Sequence, residues 1–344
     1  MNFTDFQDVR DRVLRERSHV LDCAATNLYA ALPHLIPPPT PTPACILHRC
    51  DLALEWAQRF GLPLERARHA FVSGGVRDSL SHIFRHHAAE NARLWIPADN
   101  YPIYREIARA AGLVPLSFPT LPEPNWPDVD PDDSTEILVV TNPLKPRGRW
   151  LTASDVTALT AWLAAHPRRR LILDTVYTFD TRFHTTTLQL LATGQTFLLH
   201  SLTKGWLHPR LFGIALVPAD DARAFAPLFR AHPPVQLNLG RARAFLLDYA
   251  ETPTTVAHEL AVAREQLIAT LPAGLPTPMA SDATGYLLPI ACHWLDLLND
   301  FGILAIPATV FGSAREDIAI LSSLSFVGWP KIKSARPQSI GAIS

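Results

Sequence analysis

Four short stretches of this 344-residue chain are apolar at every position: residues 137–140 (Ile-Leu-Val-Val), 171–173 (Leu-Ile-Leu), 197–199 (Phe-Leu-Leu) and 214–217 (Ile-Ala-Leu-Val). A strand with one wetted face alternates apolar and polar residues, so strands that are apolar throughout must be covered on both faces. Residues 71–73 and 94–96 add two further short strands. The segments in between carry apolar residues at helical spacing instead. Leu80, Ile83 and Phe84 mark one helix face, Ile103, Ile107, Ala110 and Ala111 a second, and Val156, Leu159, Trp162 and Leu163 a third. Thr152 and Asp155 have the spacing of a capping box before the third helix, and Gly112 stands where a C-cap would end the second. Buried strands alternating with amphipathic helices predict an α/β fold, a mainly parallel sheet flanked by helices.

Proline punctuates this pattern twice. Residues 37–43 (Pro-Pro-Pro-Thr-Pro-Thr-Pro) read as an extended connector, and residues 119–131 as a surface loop. The length fits one large and one small domain. A net charge of −1 gives no basic stripe for nucleic acid, and no apolar run reaches the length of a membrane span. The polar, acidic start, residues 1–6, is no signal peptide, so a cytoplasmic setting is expected. Cys23, Cys45, Cys50 and Cys292 lack disulfide-framework spacing. His48 lies between Cys45 and Cys50, but no second ligand pair is near, and no metal is expected.

Polar residues gather where the apolar strands end: Asn142, Asp174, Tyr177, Ser201 and Lys204. Ligands of parallel α/β sheets bind at these carboxyl ends. Lys204 is one of only four lysines, with Lys145, Lys331 and Lys333, in a chain that otherwise uses arginine for positive charge. A lysine retained there points to a need for a primary amine, which can form a Schiff base with an aldehyde as arginine cannot.

These residues fall into an ordered series over about residues 20–325 that resembles the fold-type I pyridoxal-phosphate enzymes of the class I/II aminotransferase family, with histidinol-phosphate aminotransferase as the closest echo. The segment 72–78 (Val-Ser-Gly-Gly-Val-Arg-Asp) is similar to the family's glycine turn, which implies that Gly75, Val76 and Arg77 hold the cofactor phosphate at a helix N-terminus. Tyr101 matches the residue stacked on the pyridine ring. Asp174 and Tyr177 match an Asp-x-x-Tyr element, which implies a carboxylate on the ring nitrogen and a hydroxyl on the ring oxygen. Ser201 and Lys204 match the phosphate-binding hydroxyl and the Schiff-base lysine, and Arg210 matches the phosphate arginine. Asn27 and Tyr29 resemble the N-terminal segment that covers the substrate.

The resemblance implies pyridoxal phosphate as cofactor, a homodimer, and a small-molecule amino donor and acceptor. Its fold would comprise an N-terminal arm (1–44) joining the small domain, a large cofactor-binding domain (45–245) and a small α+β domain (246–344). Three departures stand out. The family's Asn-Pro-Thr-Gly is Lys145-Pro146-Arg147-Gly148 here, so either Lys145 or the earlier Asn142 contacts the ring oxygen. Arg210 follows Lys204 by six residues where relatives usually have eight. The arginine that grips the substrate carboxylate has no counterpart near Ala319 and Ile320, which leaves Arg147 and Arg315 as candidate substitutes. The first expectation is an aminotransferase for a small amino compound, with specialised biosynthesis as a conceivable setting. A lyase, decarboxylase, cyclase or oxidase on the same scaffold is the alternative, and a non-catalytic binding module the third.

Overall fold

The structure is a computed structural model that describes residues 1–38, 49–128, 135–208, 212–279 and 284–328. Among the described residues eleven strands form: β1 (Leu21–Cys23), β2 (Ala70–Ser73), β3 (Arg93–Pro97), β4 (Leu116–Phe118), β5 (Glu136–Thr141), β6 (Arg169–Asp174), β7 (Thr196–Ser201), β8 (Gly213–Leu216), β9 (Leu287–Ile290), β10 (Ile303–Pro307) and β11 (Ala319–Ser322). Seven of them make one sheet in the order β2-β8-β7-β6-β5-β3-β4. Only β8 runs against its neighbours β2 and β7; the other pairings are parallel. The fold is α/β, with a mainly parallel sheet flanked by helices.

The fully apolar strands explain the layering. Side chains alternate across a strand, so Leu138, Val140, Leu171, Leu173 and Leu198 face one side, where the helices Arg49–Arg59, Ala153–Ala164 and Gln236–Asp248 pack. Ile137, Val139, Ile172, Phe197 and Leu199 face the other, against Val76–Ala88, Ile103–Ala110 and Ala222–Ala231. Each such side chain contributes about 1.5–3 kcal/mol by leaving water. The capping box of Thr152 and Asp155 is present at the start of its helix. Ile103, Ile107 and Ala111 pack against the core as expected, while Tyr104 and Ala108 are the fully buried positions of the helix Ile103–Ala110 and Ala110 is exposed. The buried Tyr104 brings its hydroxyl to Asp174 at the end of β6.

A second sheet, β1-β10-β11-β9, joins the start of the chain to its C-terminal part. β1 runs parallel to β10, and β11 pairs antiparallel with both β10 and β9. The proline-rich segment after β4 is only partly surface. Thr120 and Leu121 are buried, and their N–H groups donate to the buried Asp99 carboxylate. Cys45, His48 and most of the 37–43 connector lie outside the described residues, as does the Cys50 side chain. No helix among the described residues is long and apolar enough to cross a membrane.

Candidate active site

The register of the large sheet sets Thr141 beside Asp174 and Asp174 beside Leu199, so β5, β6 and β7 end at one level. A cavity of about 750 Å³ opens there. Gly75, Val76, Arg77, Tyr101, Lys145, Asp174, Tyr177, Ser201, Lys204 and Tyr29 all line it, as the sequence led us to expect.

Asp174 lines the cavity from the end of β6. Its carboxylate accepts the Tyr104 hydroxyl at 2.6 Å and the Val176 N–H at 3.0 Å. Burial pushes its carboxyl pKa above the ordinary 3.8, against the pull of those two donors and of the Lys145 charge. Among the described residues no cation is in ion-pair contact with this buried carboxylate, an arrangement suited to pairing with a ring N–H⁺.

Lys204 lies in the short helix Leu202–Gly205, whose N-cap is Ser201. Its ammonium sits 5.2 Å from the Tyr29 ring centroid and 5.7 Å from that of Tyr177. Burial, then the charges of Lys145 and Arg77, lower its pKa from 10.5 to about 8. An amine in that range is available unprotonated near neutral pH. Tyr29 holds the lysine segment directly, donating its hydroxyl to the Thr203 carbonyl at 2.8 Å. Burial raises its own pKa to about 12, so that hydroxyl keeps its proton. Lys145 hydrogen-bonds the Tyr177 hydroxyl and lies 4.0 Å from the Tyr177 ring centroid.

The glycine turn precedes the helix Val76–Ala88. Gly75 is the N-cap at φ +127°, a conformation that favours glycine. The N–H groups of Val76 and Arg77, in the first helical turn, have no acceptor among the described residues. Gly213 makes the approach possible. It pairs with Ser73 on one side and Ser201 on the other. A Cβ at Gly213 would stand 2.5 Å from the Gly75 Cα and 2.9 Å from the Ser73 Oγ. A glycine turn with free N–H groups, the Ser201 hydroxyl nearby, a buried carboxylate and a depressed lysine suit the phosphate, ring nitrogen and aldehyde of pyridoxal phosphate.

Four expected residues are placed elsewhere. Asn142 is fully buried, and its amide is used within the fold, donating to Thr186 and Thr187 and accepting from the Leu151 N–H. It therefore does not contact the cavity, and Lys145 occupies that side. Asn27 is exposed and caps the helix Leu28–Ala31 through the N–H groups of Tyr29 and Ala30. Arg147 is buried against Glu123 and the Pro122 carbonyl. Arg315 lies on the surface in a two-bond pair with Asp317. Arg210 lies outside the described residues. Conversely, Phe3, Tyr104, Tyr286 and Phe311 line the cavity without having been expected there. Composition held a signal for two of them: the chain has six tyrosines, and five line this cavity, so tyrosine here marks the site.

The sequence model of the family "Aminotransferase class I and II" matches residues 48–315. No curated protein matches the chain by sequence. Among solved structures, an aminotransferase from Mycobacterium tuberculosis superposes with a TM-score of 0.70 at 20% identity, covering 94% of this chain and 93% of its own. An aspartate aminotransferase double mutant from Thermus thermophilus gives 0.68 at 18% identity, covering 94% and 92%. YbdL from Escherichia coli, described as having a methionine aminotransferase function, gives 0.67 at 16% identity, covering 94% of each chain. With the family model spanning most of its length, the chain belongs to the class I and II aminotransferases, enzymes that depend on pyridoxal phosphate.

Proposed function

We propose that this chain binds pyridoxal phosphate through Lys204 and transfers an amino group from a small amino compound. The observation that carries the reading is the joint presence of the depressed Lys204 amine, the buried Asp174 carboxylate and the Gly75 turn around one cavity. Pyridoxal phosphate, when bound, supplies an aldehyde for the amine and a ring that accepts electrons. The chain's own residues do the rest. The Val76 and Arg77 N–H groups and Ser201 would hold the phosphate, and Asp174 would keep the proton on the ring nitrogen. Tyr177 would hold the ring oxygen, since its hydroxyl accepts from Lys145 and keeps its own proton to donate. Lys204 would accept and return a proton on the substrate carbon.

Among the described residues no arginine stands where relatives grip the substrate carboxylate. Ala319 and Ile320 are fully buried and apolar, and both candidate substitutes, Arg147 and Arg315, are ion-paired outside the cavity. A small amino compound fits the motif resemblance to histidinol-phosphate aminotransferase read from the sequence, and the family resemblance supports a homodimer. The test is a panel of amino donors on the purified, cofactor-loaded protein, scored for pyridoxamine phosphate. Conversion with at least one donor, lost in Lys204→Ala, is expected. Release of carbon dioxide or ammonia without pyridoxamine phosphate would replace transfer by lyase or decarboxylase chemistry.

A further inference from the structure

The described residues lining the cavity include three side-chain cations, Arg77, Lys145 and Lys204. Lys204 is committed to the cofactor in the reading above. Arg77 is exposed in the first turn of the helix Val76–Ala88, beside the phosphate-facing N–H groups. Lys145 is placed differently. It is half-buried at the seam where the loop after β5 meets the second sheet, with the Thr284 N–H donating to the Gly148 carbonyl. Its ammonium lies 4.0 Å from the Tyr177 centroid and 5.9 Å from the Tyr286 centroid. Among the described residues no carboxylate stands within ion-pair distance of it. A half-buried cation among rings and hydroxyls, with no ion-pair partner among the described residues, is set to receive one from a ligand.

Its position fits the missing clamp. The carboxylate of an α-amino acid hangs from the carbon that bears the amino group, so its partner must stand near Lys204. Lys145 and Lys204 share the Tyr177 ring, at 4.0 and 5.7 Å from its centroid. Of the two other cations, Lys145 also acts more strongly on the Lys204 amine than Arg77 does. The remaining walls, Phe3, Tyr101 and Phe311, suit an apolar body attached to that carboxylate.

We propose that Lys145, steadied by Tyr177 and Tyr286, is the group that binds the carboxylate of the amino donor. This rests on the cofactor reading above, and the experiment separates the two. Wild type, Lys145→Met, Lys145→Gln and Lys145→Arg are loaded with pyridoxal phosphate, and loading is read from visible absorbance. Each is then titrated calorimetrically with 3-phenylpropionate and with the uncharged 3-phenylpropionamide. Loading in all four is expected, with carboxylate affinity weakened about tenfold or more in the Met and Gln variants, equivalent to about 1.4 kcal/mol. The Arg variant should keep most of that affinity, and the amide should bind all four alike. Undiminished carboxylate affinity in both neutral variants would overturn the assignment, as would equal losses for carboxylate and amide. A shifted pH midpoint of the visible band with unchanged carboxylate affinity would overturn it too, giving Lys145 to the ring oxygen. No visible band in wild type would instead overturn the cofactor reading.

Discussion

Replacing Asp174 by asparagine should move stability and activity in opposite directions. Asp174 is only 4% exposed, and its carboxylate accepts two hydrogen bonds, at 2.6 Å from Tyr104 and 3.0 Å from Val176. Asparagine keeps the size, keeps an oxygen for the Val176 N–H, and offers its N–H to the Tyr104 oxygen. What it removes is the charge. Burial raises the Asp174 pKa above 3.8, so the folded apoprotein binds this proton more tightly than the unfolded chain does. The stabilising contribution of that raised pKa is complete below the unfolded value and is lost as pH rises through the folded value. At pH 7 the apo variant should therefore melt at or above wild type, and the gap should close as the pH falls toward 3.8. With cofactor the order reverses, because the carboxylate gains a buried cationic partner. Breaking such a pair costs about 3–5 kcal/mol, or roughly two to four decades in rate if the whole loss falls on the barrier. Thermal melts of apo and loaded protein at two pH values, beside turnover, read all three effects. Turnover within tenfold of wild type would refute the pairing. An apo variant less stable than wild type at pH 7 would show that the charge holds the fold rather than the cofactor.

The local pattern of the sequence carried the sheet and the positions at its edge. Short, fully apolar runs between helical patterns read as strands buried on both faces, and Asp174 and Ser201 end the strands that hold two of them, with Lys204 three residues on. What stayed hidden depends on contacts between distant segments. Gly213 looks like any residue before a strand until β8 is known to run antiparallel between β2 and β7, which brings Ser73 and Ser201 to either side of it. Tyr104 was concealed by its neighbours, because Ile103, Ile107 and Ala111 do pack against the core and left no local signal that Tyr104 is buried more deeply than they are. Arg147 looked free because its partner Glu123 comes from the proline-rich loop, a distance in sequence that no local pattern reveals. Arg315 is the opposite case: Asp317 stands two residues on, and a close pair of opposite charges was legible. Asn142 was read from its place at a strand end, whereas the fold engages its amide through Thr186 and Thr187, more than forty residues away.

Two further predictions bear on the phosphate turn and the lysine. Gly213→Ala would place a Cβ 2.5 Å from the Gly75 Cα, so backbone must move; about 1–3 kcal/mol of stability should be lost, and the cofactor should dialyse away faster. Unchanged melting temperature and retention would mean that the turn is looser than the geometry implies. The last prediction concerns how the apoprotein takes up cofactor at different pH. Only the unprotonated amine attacks an aldehyde, so the uptake rate follows the neutral fraction of Lys204. Burial and the nearby Lys145 and Arg77 charges disfavour the ammonium, which lowers the pKa from 10.5 to about 8. Uptake should therefore rise with pH and level off just above pH 8, where an exposed lysine would still be climbing. Removing the Lys145 charge, as in Lys145→Met, takes away one of the two repulsions and should move the midpoint upward, while burial keeps it below 10.5. Stopped-flow absorbance over this pH range measures both curves. A wild-type midpoint near 10.5 would show that Lys204 is hydrated in solution, and the environment assigned to it here would be wrong.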